Sequence, residues 1–334
     1  MKCWLKGILN KLLSSFVKTG LFVCTLLHIC QANAQSSDSM SVIIPFAAGG
    51  GTDILARIIV PKVADRLGVV GIVENKPGAS GAIGAQFVAR AAPDGKTLML
   101  GSISEISINP SLVPKLPYDV NRDFVAVTGL ASAPIVLVVN NASQIKTPAD
   151  LIALAKARPE QINFASAGVG SGAHMAAELF MYETKVRLTH IPYKGTGAAM
   201  TDLIGSQKDM LLFTPLPPAS AFIKSGQLRA VAVASRERLP LFPDLPTFVE
   251  AGVTGYLMDY WYGFIAPKAT PEGIRQKLYE SSLAVLRNPQ VIHSLAQQGF
   301  VPTITTQDEF AQFVKQDIAK WAQVIQSSNI QAEP

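Results

Sequence analysis

Val42-Ile43-Ile44-Pro45-Phe46-Ala47-Ala48-Gly49-Gly50-Gly51-Thr52-Asp53, continued by Ile54-Leu55-Ala56-Arg57, sets a β-branched run against a glycine loop and then a helical pattern. A glycine run lets the backbone approach a ligand closely. A helix N-terminus adds unpaired N–H donors and the positive end of the helix dipole, so the junction suits an anion. A triphosphate-binding loop needs a lysine beside its second glycine, whereas Gly51 is followed by Thr52 and Asp53. A dinucleotide fingerprint fails too, because Ile54 stands where its third glycine belongs. A carboxylate suits a loop with few cationic side chains. The same residues also make a plain tight turn in which Thr52 or Asp53 caps the helix.

Composition is read after setting the first residues aside. Lys2, Lys6, Lys11 and Lys18 lead into the apolar run Leu21 to Ile29 and then Ala32-Asn33-Ala34, the pattern of a secretory signal peptide over residues 1–34, cleaved after Ala34. The apolar core of roughly ten residues is about half of a bilayer span, which argues against a transmembrane anchor. A lipoprotein signal ending at Cys30 would need small residues where His28 and Ile29 stand. Without the leader the formal net charge falls from 29 − 24 = +5 to 25 − 24 = +1. No basic cluster with interleaved aromatics remains, so nucleic acid is not an expected partner. Cys3, Cys24 and Cys30 all lie in the leader, which leaves neither disulfides nor thiolate chemistry. The scattered histidines give no metal-ligand spacing, and neither metal nor cofactor is expected.

The remaining 300 residues suffice for two domains. Strand and helix alternate: Val42 to Phe46, a helix from Ile54 to Leu67 bent by Pro61, Val69 to Glu74, a helix from Ile83 to Ala92, and Thr97 to Gly101. The apolar run Phe124 to Val139 is long enough to pass from one lobe to another, with Ile135 to Asn140 as the crossing. A second alternating series follows: a helix capped by Thr147 and begun by Pro148, Ile162 to Ser166, a helix from Ala173, Leu188 to Tyr193, a helix from Ala198, Asp209 to Phe213, and Leu228 to Ala234. The segment Tyr260 to Pro267 returns to the first lobe, which helices from Pro271 to Leu286 and Gln307 to Ser327 complete. The expected class is α/β with two lobes, each a mixed, mostly parallel sheet flanked by helices. Residues 35–134 plus 260–334 make lobe 1, and residues 135–259 make lobe 2.

Lobe 2 repeats the glycine device in Ser166-Ala167-Gly168-Val169-Gly170-Ser171-Gly172 and in Lys194-Gly195-Thr196-Gly197. Ligands of open α/β sheets bind at the carboxyl ends of strands, where such loops sit. Two lobes facing each other would grip an acid from both sides and close on it by a hinge.

The order and spacing of several stretches resemble the periplasmic solute receptors of tripartite tricarboxylate transporters, the Bug family. These are Ile44 to Asp53, Val73-Glu74-Asn75-Lys76-Pro77-Gly78-Ala79, Ala92-Pro93-Asp94-Gly95, Leu116-Pro117-Tyr118-Asp119, Ile191-Pro192-Tyr193-Lys194-Gly195, Ala199 to Leu203, Leu245 to Gly252, and Trp261-Tyr262-Gly263. The resemblance implies a two-lobed, Venus-flytrap periplasmic binding protein. It would be a monomer that takes a small organic carboxylate and delivers it to a membrane permease. Carried over residue by residue, the resemblance implies ligand contact at Phe46, Ala47, Gly50, Gly51, Thr52 and Asp53, and at Ser102 and Ser104 after the third strand. In lobe 2 it implies Ser166, Gly168, Gly170 and Ser171, with Tyr193 and Thr196 nearby. Backbone N–H groups, hydroxyls and bridging waters would make most contacts.

Structural roles compete at each position. Asp53 would repel an acid and fits a cap better, Ser171 caps a helix through His174, and Tyr193 is a core residue at a strand end. Trp261 and Tyr262 read as hinge packing. Thr214 stands where many family members carry aspartate, and Ser80, Ala82 and Met258-Asp259 also depart from the pattern; whether Thr214 and Asp259 face the pocket stays open. The sequence is compatible with two other outputs. The closed receptor would signal to a membrane sensor kinase, or Gly78-Ala79-Ser80-Gly81-Ala82 would be a nucleophile elbow of a secreted serine hydrolase, lacking its final glycine. Such a triad would have only His174, His190 and His293 to draw on after the leader.

Overall fold

The computed structural model describes residues 38–206, 209–328 and 330, so the leader expected over residues 1–34 lies outside the described residues. Among them run ten strands: β1 (Ser39–Ile44), β2 (Val70–Asn75), β3 (Thr97–Ser102), β4 (Phe124–Asn140), β5 (Asn163–Ser166), β6 (Thr189–Pro192), β7 (Met210–Pro215), β8 (Leu228–Val233), β9 (Asp259–Pro267) and β10 (Val301–Pro302). The first sheet is ordered β2-β1-β3-β9-β4-β10 and the second β8-β4-β7-β5-β6. In each, three parallel strands meet strands of opposite direction, β9 beside β3 and β4 beside β7. The fold is the two-lobed mixed α/β arrangement expected from the alternation.

The apolar run from Phe124 is a single strand of 17 residues that belongs to both sheets. It pairs with β9 from Phe124 to Pro134, then with β7 and β8 from Ile135 onward. Two bulges against β9, at Ala126/Thr128 and Gly129/Ala131, add local twist along the way. From Ala133 to Asn140 both faces are buried, which accounts for a continuous apolar stretch in place of alternation.

The longer helices are α1 (Gly51–Leu67), α2 (Ala82–Ala89), α3 (Pro148–Ala157), α4 (Gly172–Thr184), α5 (Thr196–Gly205), α6 (Leu216–Lys224), α7 (Glu272–Leu286), α8 (Pro289–Gln298) and α9 (Gln307–Ser328). α3 opens on a capping box in which Thr147 accepts from the Asp150 N–H and Asp150 accepts from the Thr147 N–H. Pro61 lies inside α1 without ending it. α6 and α8 are additions to the expected series. Their prolines sit in the first turn, where no N–H is required. Among the described residues no helix is long and apolar enough to cross a membrane.

In the second lobe Phe180, Phe213, Phe248 and Tyr256 form a ring cluster with centroids 4.6–6.3 Å apart. In the first, Trp261 of β9 packs on Phe310 and Phe313 and donates Nε1–H to Asp317 at 2.8 Å, which fastens α9 over the sheet. β1, β5 and β6 each end in a glycine loop that opens a helix, respectively α1, α4 and α5.

Candidate ligand site

α1 begins with Gly50 as its N-cap, so neither Thr52 nor Asp53 occupies the capping position. The first intrahelical bond runs from Ile54 N–H to Gly50 C=O. The amides of Gly51, Thr52 and Asp53 therefore precede the helical ladder, and none has an acceptor among the described residues. Asp53 turns its carboxylate backwards instead. It accepts from the Gly49 N–H at 3.0 Å, from Asn75 Nδ2 at 3.0 Å and from Arg57, whose Nη2 is 2.9 Å away. Asn75 also donates to the Phe46 carbonyl at 3.0 Å. Burial pushes the Asp53 carboxyl up, but the bonds from Arg57, Gly49 and Asn75 outweigh it and hold the pKa below the usual range. Asp53 is a strut for the loop, and it neutralises the nearest arginine.

The β1 loop meets the β6 loop across the two lobes. A Cβ on Gly195 would lie 2.9 Å from Ala47 Cβ, one on Gly50 would lie 3.9 Å from Thr196 Oγ1, and one on Gly197 would lie 3.7 Å from the Ala48 carbonyl. Glycine at 195 (φ 145°) makes this approach feasible. Thr196, Gly197 and Ala198 open α5 with amides that likewise lack acceptors among the described residues, the first bond being Ala199 N–H to Gly195 C=O. Two helix N-termini thus converge in a closed arrangement.

The β5 loop supplies the third element. Ser166 Oγ accepts from the Gly168 N–H at 3.0 Å and lies 2.6 Å from His190 Nε2. His190 stacks between Phe164 (4.7 Å) and His174 (4.4 Å), and His174 Nδ1 accepts from the Gly170 N–H at 3.3 Å. Burial, with His174 beside it, pulls His190 down to about 3, so His190 is neutral and the two stacked rings support the β5 loop. Ser171 is the N-cap of α4 and accepts from the His174 N–H at 3.3 Å. Gly168 and Gly170 both face Ser80 from the other lobe, and the Ser80 hydroxyl donates to the Val169 carbonyl.

Behind these loops stands β9. A Cβ on Gly51 would collide with the Tyr262 hydroxyl, and one on Gly172 would lie 2.6 Å from Tyr260 Cδ2. Tyr262 Oη is buried without a partner among the described residues. Tyr260 Oη lies 2.9 Å from Ser102 Oγ and 2.8 Å from Ser104 Oγ, and Ser104 in turn accepts from the Gly172 N–H at 2.9 Å. Ser102 donates to Glu105, a fully buried carboxyl that burial raises to about 8.

Residues 55–330 match the family described as tripartite tricarboxylate transporter family receptor. The chain belongs to that family. It is 35% identical to Protein BugT of Bordetella pertussis over 312 residues, 92% of this chain and 95% of that one. Two solved proteins of Rhodopseudomonas palustris share the fold. Rpa4515, solved with adipate, has a TM-score of 0.84 at 31% identity, covering 88% of this chain and 98% of that one. MatC, solved with malate, has a TM-score of 0.81 at 33% identity, covering 86% and 98%.

As a member of this receptor family the chain is a solute-binding protein, and its geometry sorts the expected residues. Ala47, Gly50, Gly51 and Thr196 come together at the meeting of α1 and α5, with Phe46 and Thr52 on the same loop. Gly168, Gly170, Ser102, Ser104 and Ser171 gather at the start of α4. Tyr193 turns its hydroxyl to Asp202, burial and then the Asp202 carboxylate raising it to about 12, and only its carbonyl lies toward the β5 loop, 3.7 Å from a Cβ on Gly168. The Thr214 hydroxyl donates to the Pro215 carbonyl, and Asp259 is exposed at the start of β9. Ser80 sits at φ 48° and, among the described residues, has no histidine partner: His174 and His190 support the β5 loop and His293 lies 2.8 Å from Gln297. Glu105, Tyr260 and Tyr262 were absent from the expected set. The alternation Tyr260-Trp261-Tyr262 carried a signal, since successive strand residues face opposite sides and only Trp261 turns to α9.

Proposed function

We propose that this receptor captures a small organic acid between its lobes in the periplasm and hands it, as a monomer, to the permease of a tripartite tricarboxylate-type transporter. One observation carries the reading: two helix N-termini from opposite lobes, with six amides lacking acceptors among the described residues, face each other across glycine loops. Such amides suit carboxylate oxygens. An acid at each end of the ligand gives each lobe its own anion, which favours the closed state by the difference in affinity. Adipate and malate, found in two relatives, are both dicarboxylic acids. We place the lobe boundaries at Pro134–Ile135 on β4, where pairing passes from one sheet to the other, and at Asp259–Tyr260, where the chain enters β9 and rejoins the first sheet.

Capture is not turnover in this reading, because Ser80 lacks the base a hydrolase would need. The test is thermal unfolding of protein that has been unfolded and refolded to strip carried-over ligand. Malate and adipate are compared with their neutral diamides and with sugars. At a hundred times Kd the acid adds about 2.7 kcal/mol, a shift of roughly 4 °C for a protein of this size. Equal shifts with diamides or sugars would sink the carboxylate assignment. Delivery is checked by uptake of the same acid in cells lacking either the receptor or the permease; loss in both strains is expected.

A further inference from the structure

Glu105 lies in the single π turn Ser104–Ile108 at 0% exposure, and no Lys, Arg or His pairs with its carboxyl among the described residues. Its Oε1 accepts from the Ser102 N–H and its Oε2 from the Ser102 hydroxyl at 2.8 Å. The titratable groups facing it are all tyrosines. Tyr118 donates to the Glu105 carbonyl at 2.5 Å, and Tyr260 and Tyr262 approach from β9. Gly81 and Gly101 close the remaining sides. A charge here is uncompensated, which is why burial raises the carboxyl to about 8.

From Ser102 the bonds continue through Tyr260 Oη and Ser104 Oγ to the Gly172 N–H, the first amide of α4 in the other lobe. Each hydroxyl carries one hydrogen, so the chain has two self-consistent orders. With Glu105 ionised, Ser102 donates to the carboxylate, Tyr260 to Ser102 and Ser104 to Tyr260; every hydroxyl hydrogen is engaged. With Glu105 protonated, the carboxyl donates to Ser102, Ser102 to Tyr260 and Tyr260 to Ser104. The Ser104 hydrogen is then released at the start of α4, among Ser104, Gly170 and Ser171, which the family resemblance brings to the ligand. Charge acts in the same direction, since an ionised Glu105 would repel an acid ligand and a protonated one would not.

We propose that Glu105 is a proton-binding site coupled to the acid site: the lobes close on the ligand with Glu105 protonated, and the Ser102–Tyr260–Ser104 relay carries that state to α4. This rests on the carboxylate-receptor reading above. One proton enters from solvent at the Glu105 carboxyl per ligand bound, and Glu105 is a positioning residue that acts through Ser104. Reciprocity of linkage then requires that affinity for the acid fall as pH rises.

The experiment is titration calorimetry of the full mature chain with malate and with adipate, in phosphate and in Tris, between pH 6.5 and 9.5. The two buffers differ in ionisation heat and so count protons. For the wild type the expected result is uptake of about half a proton per ligand at pH 8, where the free protein is half protonated, approaching one as pH rises beyond 9. Its Kd should then rise by up to about ten-fold per pH unit above pH 8. Glu105→Gln presents an amide that donates to Ser102 as the protonated carboxyl does. It should bind at pH 9 as the wild type binds at pH 7, with no proton uptake. Ser104→Ala should lower the proton count by cutting the relay. Identical wild-type heats in both buffers with a flat Kd would overturn the coupling and leave the receptor reading intact. So would a Glu105→Gln protein that still takes up a proton. Should that variant fail to fold, the wild-type proton count decides alone. An absence of heat with every acid would overturn the receptor reading, and the coupling with it.

Discussion

Gly172→Ala isolates lobe closure from folding. Gly172 is the first residue of α4, and an added Cβ would lie 2.6 Å from Tyr260 Cδ2 and 3.2 Å from Cζ, with Cε2 nearer still. Ordinary contact begins near 3.4 Å. Tyr260 has no room to yield, because its ring is 6% exposed, packs 5.0 Å from Tyr262 and has its hydroxyl held by Ser102 and Ser104. Relief therefore comes from moving α4 away from β9 by roughly 1 Å, which stretches the 2.9 Å Gly172–Ser104 bond toward its limit. A lost hydrogen bond of this kind costs about 1 kcal/mol, and the parted ring contact about as much again. Together, ~2 kcal/mol against the closed state is roughly a thirty-fold rise in Kd. Alanine suits a helix better than glycine, so the ligand-free melting temperature should not fall. Calorimetry with the best-binding acid of the panel measures the first quantity and thermal unfolding the second. Gly273→Ala, where nothing lies within 4 Å, is the control. An unchanged Kd would mean that Tyr260 and Gly172 do not meet in the bound form. A ligand-free protein destabilised by several degrees would mean that their contact serves folding.

Further outcomes follow from the same contacts. Asp53→Asn should cost ~1–3 kcal/mol at pH 7 in denaturant unfolding. Because the native pKa lies below the ordinary 3.8, this contribution is present above about pH 4 and fades as pH falls through the lowered value; a deficit that persists at pH 2 would argue against the Arg57–Asn75–Gly49 clamp. For Glu105 the sign is opposite. Its native pKa of about 8 exceeds the ordinary 4.5, so its contribution is complete below pH 4.5 and is lost as pH rises through 8, by as much as ~5 kcal/mol. Glu105→Gln should flatten the fall in melting temperature from pH 5 to 9, and an unchanged slope would refute the burial argument. Tyr262→Phe removes a buried hydroxyl without a partner and should raise the melting temperature by about 2–4 °C; a decrease would reveal a bond to water. Ser80→Ala should weaken acid binding a few-fold through the lost bond to Val169, and ester turnover abolished by this change would restore the hydrolase reading.

The fold was legible wherever local chemistry and topology agree. The glycine run before Ile54, the Thr147-Pro148 cap and the alternation of strands with helices each name an element without reference to the rest of the chain. α6 was hidden because Leu216-Pro217-Pro218 reads as a breaker, although prolines in a first turn are compatible with a helix. α8 carried a start signal in Asn288-Pro289 that only its packing makes decisive. At the site, the loops were legible and the side chains behind them were not. Glu105 lies among Ile103, Ile106 and Ile108, and nothing local distinguishes a buried carboxyl from an exposed one. Its setting comes from Ser102, Tyr118 and Tyr260, and Tyr260 stands 155 positions away in the chain.

The double membership of β4 sets an order of assembly. Every strand of the second sheet lies between residues 124 and 233, so that sheet is complete while the chain is still being made. The first sheet has β1, β2 and β3 in hand early, but β9 must arrive before β3 and β4 are bridged. Contacts this distant in sequence form late and slowly. A chain that emerges from its N-terminus therefore carries an unfinished lobe until its last quarter appears, with the free edge of β3 as the surface a chaperone would have to shield.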